Sequence, residues 1–139
     1  GGFRVPFIMR WPGKIDIGTT STKLISSADY LATFADLFDQ VLPEKAGEDS
    51  FSFADVLTGE KVRRPRRSVA LHSSRARSFV DGDWKLVDFS YLAEPLDKFE
   101  LYNLHEDPAE SIDQASSNSK QLNHMRNALK QIVERERSR

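Results

Sequence analysis

The side chains best suited to chemistry lie together near the middle of the chain, at His72 and Ser73. An imidazole titrates near neutral pH, so His72 could bind an anion or protonate a leaving oxygen. A strand-end histidine held in a hydrogen bond is the structural alternative. Ser73 could donate a hydrogen bond to a ligand oxygen, although a serine after a strand more often stabilises a turn.

Composition excludes several other chemistries. The chain of 139 residues has no cysteine, which rules out disulfides, a thiolate zinc site and a cysteine nucleophile. A net charge of −1 gives no reason to expect a nucleic-acid or membrane partner. His105 and His124 lack partners at ligand spacing, which favours surface positions. Asp81-Gly82-Asp83 is typical of a hairpin turn rather than of a calcium loop, so no metal site is predicted.

Positive charge is concentrated in one stretch of the sequence. It could steer a polyanionic ligand by long-range attraction, which leaves a non-catalytic polyanion-binding module open as a function. A solvated linker is the simpler interpretation. The residues concerned are Lys61, Arg63, Arg64, Arg66, Arg67, Arg75 and Arg77.

The second half of the chain has the periodicity of a small sheet and one helix. Apolar alternation predicts four strands, and Asp81-Gly82 predicts a hairpin turn between two of them. An amphipathic helix from about Ser119 to Arg137 should pack on this sheet. A cluster of aromatic residues, Trp84, Phe89, Phe99 and Tyr102, is expected to form the core against that helix. The predicted strands are Ser68 to His72, Ser78 to Val80, Trp84 to Phe89 and Phe99 to Tyr102.

The first half predicts a strand, a loop and a helix. Residues Phe3 to Trp11 alternate as in a largely buried strand, although Pro6 removes one ladder hydrogen bond. Ser26 or Ser27 can cap a helix whose apolar stripe runs from Tyr30 to Phe38 and which should end before Pro43. A short helical turn ended by Gly59 follows. The fold class is therefore α+β, with a boundary near Lys61 that divides the chain into residues 1–60 and 61–139.

An ordered set of short motifs resembles the type I, formylglycine-dependent sulfatases, an arylsulfatase-like family of the alkaline-phosphatase superfamily. The resemblance begins at Gly1-Gly2-Phe3-Arg4-Val5-Pro6-Phe7 and Arg10-Trp11-Pro12-Gly13 and continues in register over nearly the whole chain. Further matching segments are Ser26-Ser27-Ala28-Asp29-Tyr30, Ala46-Gly47-Glu48-Asp49-Ser50, Leu57-Thr58-Gly59, Leu71-His72-Ser73, Asp81-Gly82-Asp83-Trp84-Lys85-Leu86, Glu100-Leu101-Tyr102-Asn103-Leu104 and Glu106-Asp107-Pro108-Ala109-Glu110.

The resemblance implies that this chain is one part of a longer enzyme and that the catalytic residues lie in the other part. Residues 1–60 would be the end of a large α/β domain, and residues 61–139 the C-terminal subdomain. In such sulfatases the formylglycine nucleophile and the carboxylates that bind a divalent cation, expected to be calcium, lie in the N-terminal part. The nucleophile motif Cys/Ser-x-Pro-Ser-Arg has no match here. We therefore expect no catalytic residue in this chain and no turnover by the chain alone.

The resemblance also assigns roles to individual residues. Arg4 matches a family arginine that could order carboxylates around the metal site, although a structural salt bridge explains it equally well. His72-Ser73 matches a strand end that faces the substrate cleft, and all three residues are assigned to substrate binding. Val80 departs from the family pattern, which usually has an arginine there, and Arg75 or Arg77 could substitute.

The parent protein is expected to hydrolyse sulfate esters of carbohydrates or aryl compounds in the periplasm, the cell exterior or the lysosome. A phosphodiester or phosphonate ester hydrolase of the same superfamily is the alternative enzyme. The expected partners are a sulfated substrate and the rest of the sulfatase chain. Self-association through uncovered apolar surface is the alternative for the chain alone.

Overall fold

The computed structural model describes residues 3–60, 63–90 and 96–135. They form two compact units. Within the described residues, one unit extends from Pro6 to Arg67, and the other joins residues 3–5 with residues 68–135. None of the helices within the described ranges is long and apolar enough to cross a membrane.

The unit that begins at Ser68 contains a four-stranded antiparallel sheet. Its strands pair in sequence order, each with the next along the chain. The alternation of apolar residues had placed each strand to within one residue at either end, so these predictions are confirmed. The strands are β1 (Ser68–His72), β2 (Arg77–Asp81), β3 (Trp84–Asp88) and β4 (Phe99–Asn103).

The turn between β2 and β3 is the predicted hairpin, but Asp81 and Gly82 are not its two loop residues. Asp81 pairs with Trp84, so the two loop residues are Gly82 and Asp83. Gly82 has a φ of +56°, and Asp83 is not among the residues with positive φ. Glycine at the first loop position with φ above zero is typical of a type II′ turn, whose twist matches that of the flanking strands.

Helix α3 (Ser119–Arg135) covers one face of the sheet, as its amphipathic pattern predicts. Met125 is fully buried and Leu129 is 2% exposed, and both pack on the central residues of the strands. Of the predicted apolar stripe, Val133 stays 46% exposed near the end of the helix. The buried core residues on this face are Phe79, Leu86, Leu101, Met125 and Leu129.

The aromatic residues do not form one core, which corrects the sequence prediction. Trp84 and Phe99 pack beneath α3, whereas Tyr102 and Phe89 belong to a second cluster around Val87. Successive residues of a strand point to opposite faces of the sheet, so Phe99 and Tyr102 on β4 are separated by their odd spacing. Only half of the aromatic group can therefore contact the helix.

The unit from Pro6 to Arg67 is helical. Ser26 caps a single 3₁₀ turn (Ser27–Asp29) through a capping box in which Asp29 accepts a hydrogen bond from the Ser26 N–H. Helix α1 (Tyr30–Leu37) follows directly and ends well before Pro43, as predicted. Helix α2 (Ala54–Thr58) ends at Gly59, whose φ of +72° is the left-handed conformation expected at a helix C-terminus.

The large apolar side chains of the α1 stripe do not face the interior of their own unit. Ala32, Thr33 and Ala35 are buried, whereas the large apolar side chains on the helix stay exposed. Small residues let another segment approach closely: the Ala32 N–H donates to Ser50 Oγ at 2.9 Å, and the Phe53 N–H donates to Thr33 Oγ1 at 3.1 Å. Those hydrogen bonds fix the small-residue face inward and turn the aromatic face outward.

Residues 3–11 form no strand in this structure, unlike the sequence prediction. Val5 is 73% exposed and Ile8 is 91% exposed. A strand exists only through hydrogen bonds to a neighbour, and no segment among the described residues pairs with this one. The sequence has the apolar alternation of a strand, but no strand partner for it lies among the described residues.

Candidate functional site

The end of β1 carries the two residues that the sequence singled out. His72 is the last residue of the strand, is exposed, and lies opposite Arg77 of β2 in the register of the sheet. Ser73 begins the connection to β2. Its N–H and its Oγ–H both donate to the Ala76 carbonyl, at 3.1 and 2.9 Å.

The Ser73 hydroxyl is used fully by this turn. Its oxygen also accepts hydrogen bonds from the Arg75 and Ala76 N–H groups, at 3.2 and 3.1 Å. A hydroxyl has one proton to donate, and here that proton goes to a backbone oxygen. His72 lies immediately before this turn, at the end of β1. The ligand contact assigned to Ser73 stays a prediction.

Arg77, beside His72, is held by a carboxylate. Its Nη2 lies 2.7 Å from Asp88 Oδ2, and Asp88 Oδ1 accepts from the Ser90 N–H at 2.9 Å and the Ser90 hydroxyl at 2.6 Å. Burial raises the pKa of Asp88, but the hydrogen bonds from Ser90 and Arg77 outweigh it and leave the pKa below its ordinary value. Asp88 is therefore ionised at neutral pH and fixes a guanidinium next to His72.

Sequence reasoning missed the role of Asp88. The signal that could have found it is the two-residue hairpin loop, which sets the register and places Asp88 opposite Arg77. His72, Arg77, Asp88 and Phe99 then lie in one row across the four strands. The row places the imidazole of His72 beside the guanidinium of Arg77, whose charge is paired with that of Asp88.

Arg4, the third predicted binding residue, lies apart from this row along the chain. It is exposed in a segment without regular secondary structure. His72 and Ser73 are adjacent at one strand end, whereas the structure gives Arg4 no regular element to position it. Its assignment to substrate binding stays a prediction.

Much of the basic cluster has other partners. Arg63 forms a two-pronged ion pair with Asp55, with Nη2 to Oδ1 at 3.2 Å, and Arg66 is buried against Asp29. Arg77 binds Asp88, as described above. Lys61 lies outside the described residues. These pairs compensate the charges of Arg63, Arg66 and Arg77, and burial makes Arg66 part of the scaffold. A polyanion-binding role for the rest of the cluster stays a prediction.

Two motif carboxylates near residue 110 also prove to be structural. Asp107 accepts hydrogen bonds from the Ser111 N–H and hydroxyl and from the Ile112 N–H, all within 2.8 Å, and the backbone bond from Ile112 is the main cause of its lowered pKa. Glu110, with a φ of +57°, forms an ion pair with Lys85 of β3. The loop after β4 is thereby fastened to itself and to the sheet.

The residues that the structure describes do not suit a metal centre. Within the described ranges, no group of three or more histidine or acidic side chains converges as a cation would require. His105 and His124 are both exposed, as the sequence predicts. The described residues therefore do not provide the ligands that a divalent cation needs.

Comparison with known proteins gives the class to which this fold belongs. The family model for the C-terminal region of N-sulphoglucosamine sulphohydrolase matches residues 1–139. The chain belongs to this family and is the C-terminal portion of a sulfatase. The four-stranded sheet and its helix are the α+β fold of that region.

Three relatives illustrate the match. The N-acetylgalactosamine-6-O-sulfatase of Bacteroides thetaiotaomicron is 29% identical over 96% of this chain, which is 28% of that protein. Human arylsulfatase G is 28% identical over 81% of the chain and 24% of its own length. A solved 6S-sulfatase from a Bacteroides thetaiotaomicron locus for glycosaminoglycan metabolism is 26% identical, with a TM-score of 0.77 over 91% of this chain and 28% of that one.

The chain thus spans about a quarter of the length of these relatives. Catalysis in the relatives is a property of much longer proteins. The described residues supply a four-stranded sheet, the helix that covers it, and a strand end at which the imidazole of His72 is exposed.

Proposed function

We propose that this chain is the C-terminal part of an enzyme that hydrolyses sulfate esters of carbohydrates or aryl compounds. The observation that carries the proposal is the match of the whole chain, residues 1–139, to the C-terminal region of a sulfatase family. The named relatives that cover most of the chain are all sulfatases. The chain by itself supplies scaffold and one wall of the substrate cleft, and it does not turn over substrate.

The nucleophile and the cation belong to the preceding part of the enzyme. Formylglycine chemistry needs a modified residue and a divalent cation, and the described residues offer no converging set of ligands for one. In this proposal residues 1–60 complete the preceding α/β domain and residues 61–139 form the C-terminal subdomain. The enzyme acts outside the cytosol, in the periplasm, the cell exterior or the lysosome.

His72 is the residue of this chain that we assign to the substrate, with Ser73 and Arg4 as further contacts. Its exposure at the end of β1 and its place beside Arg77 support an interaction with an anionic or hydroxyl group of the substrate. It is a binding residue, and its contribution should appear in recognition of the sulfated substrate.

The main test compares this chain with the full-length protein that contains it. Both are assayed for sulfate release from an aryl sulfate and from sulfated monosaccharides, and for hydrolysis of an aryl phosphodiester. The full-length protein should release sulfate and this chain should not. Release of phosphate monoester with no sulfate release would instead identify a phosphodiesterase of the same superfamily. Sulfate release by this chain alone would contradict the proposed division.

A second test concerns His72 in the full-length enzyme. Loss of a hydrogen bond to a charged group costs about 1.5–3 kcal/mol, so His72→Ala should lower kcat/KM by about 10-fold or more. His124→Ala, an exposed histidine on α3, is the matched control and should leave kcat/KM unchanged. Equal values for the two variants would remove His72 from the substrate site.

A further inference from the structure

The arginines at the His72 end of the sheet are held in different ways. Arg126 of α3 lies over the ring of Phe99, with its Cζ atom 4.0 Å from the ring centroid. Phe99 is on β4, and β1, which carries His72, is the strand at the other edge of the sheet. Neighbouring strands are about 4.8 Å apart, so the backbones of these two edge strands are separated by about 14 Å. Arg126 is therefore held at the opposite edge of the sheet from His72.

Arg77 lies directly opposite His72, but its charge is already paired. Its Nη2 lies 2.7 Å from Asp88 Oδ2, and the two side chains are 15% and 4% exposed. A ligand anion that drew this guanidinium away would leave a buried carboxylate without its partner, which is strongly unfavourable. Arg77 is therefore a structural partner of Asp88.

Arg75 differs from both of these arginines. It lies in the turn between β1 and β2 and is exposed, and its guanidinium has no hydrogen-bond or ion-pair partner among the described residues. Its backbone, by contrast, is fixed. The Arg75 N–H donates to Ser73 Oγ at 3.2 Å, and the same hydroxyl accepts from the Ala76 N–H and donates to the Ala76 carbonyl. Binding of a ligand by Arg75 therefore requires ordering of one side chain and not of a loop.

His72 and Arg75 are close enough to contact the same ligand molecule. They are three positions apart in the sequence, so their Cα atoms are at most about 11 Å apart even in a fully extended chain. The turn shortens that distance. A guanidinium can form two parallel hydrogen bonds with the oxygens of a sulfate or a carboxylate. The turn therefore presents an anion-binding side chain next to the residue that we assign to the substrate.

We propose that Arg75 determines specificity by binding an anionic group, sulfate or carboxylate, that the carbohydrate carries in addition to the sulfate ester that is hydrolysed. The inference rests on the proposed function, because it places the substrate of a sulfatase at His72. The sequence leaves Arg75 and Arg77 open as substitutes for the arginine that is absent at Val80. The pairing of Arg77 with Asp88 favours Arg75.

Steady-state kinetics of the full-length enzyme tests the proposal. The substrates are a hexosamine monosulfate, a hexosamine disulfate and a monosulfated disaccharide that contains a uronic acid. The wild-type enzyme should have a higher kcat/KM for at least one of the two substrates with a second anionic group than for the monosulfate. Arg75→Ala should lower the ratio of these two kcat/KM values by about 5- to 10-fold, mainly through KM, because a hydrogen bond to a charged group is lost. The disulfate and the uronic acid show which anion is bound.

Further variants separate a direct contact from a general effect of charge. Arg75→Lys keeps the charge but loses the planar fork, so it should retain part of the preference. Arg64→Ala removes an exposed arginine of the other unit and should keep the wild-type ratio. Arg77→Ala should lower the Tm without changing the ratio, because its loss leaves Asp88 unpaired. An unchanged ratio in Arg75→Ala, or an equal fall in Arg64→Ala, would overturn the proposal.

The proposed function and the role of Arg75 fail in different ways. A full-length protein that releases sulfate from none of these substrates would refute the function, and the inference with it. A sulfatase whose ratio is the same with and without the Arg75 side chain would keep the function and refute the contact.

Discussion

Arg66 and Asp29 form a buried ion pair although 37 positions separate them in the sequence. Arg66 Nη2 lies 2.6 Å from Asp29 Oδ1, Arg66 Nε lies 2.9 Å from Asp29 Oδ2, and both side chains are at most 3% exposed. Asp29 also accepts hydrogen bonds from the N–H groups of Ser26 and Phe51. One carboxylate therefore ties the start of α1, the loop before α2 and the end of the helical unit together.

Loss of this pair should strongly destabilise the chain. Arg66→Ala leaves a buried, uncompensated carboxylate, for which we expect the free energy of unfolding to fall by about 3–5 kcal/mol. Urea denaturation followed by circular dichroism measures it. Arg63→Ala is the control, because Arg63 pairs with Asp55 while its side chain is 74% exposed, and it should change stability little. Similar losses in the two variants would show that burial does not set the strength of these pairs.

Because Asp88 is ion-paired in the folded state, the free energy of unfolding should decrease as the pH is lowered into the acid range. The pKa of Asp88 is lowered from its ordinary value of 3.8, so the folded state binds this proton less readily than the unfolded state. The resulting stability is fully present above about pH 4 and is lost as the pH falls through the lower, folded pKa. Asp88→Asn should make the urea midpoint less dependent on pH below 4. Asp83→Asn, an exposed carboxylate in the adjacent turn, should keep the wild-type dependence, and an unchanged slope for Asp88→Asn would contradict the assignment.

The core beneath α3 predicts a large cavity effect. Met125 is fully buried against Leu86 and Leu101, so Met125→Ala should cost about 2–5 kcal/mol of unfolding free energy. Val133→Ala, on the same helix but 46% exposed, should stay within about 0.5 kcal/mol. Thermal and urea unfolding of both variants provide the comparison. A small loss for Met125→Ala would mean that α3 is not packed as the structure shows.

The hairpin between β2 and β3 predicts a backbone effect. Gly82 has a φ of +56° with nothing within 4 Å of an added Cβ, so Gly82→Ala should be strained by its conformation and not by a clash. We expect a loss of about 1–2 kcal/mol. Asp83→Ala, at the second loop position without positive φ, should cost less. If the order of the two effects is reversed, the type II′ assignment is wrong.

Local chemistry made most of the second half of the chain predictable. The four strands, the turn at Gly82 and the span of α3 all follow from apolar periodicity and turn residues within about 20 positions. The capping serine of α1 and the glycine that ends α2 are equally local signals. The position of the candidate site was predictable, because apolar alternation locates the strand end that carries His72. The pairing of Asp88 with Arg77 was not, because it depends on the register between β2 and β3.

The sequence by itself determined the family resemblance and the helices and strands, apart from the strand predicted at residues 3–11. Helix and strand periods and turn residues act between near neighbours, and this is why they can be recognised in a sequence. Tertiary structure alone decided that Arg66 is a buried partner of Asp29 and that the small-residue side of α1 is the buried one. Each of these depends on which distant segment packs against the residue. The Ala32 N–H donates to Ser50 Oγ and the Phe53 N–H donates to Thr33 Oγ1. Periodicity does not reveal these contacts, which leave the large apolar side chains of α1 exposed to solvent.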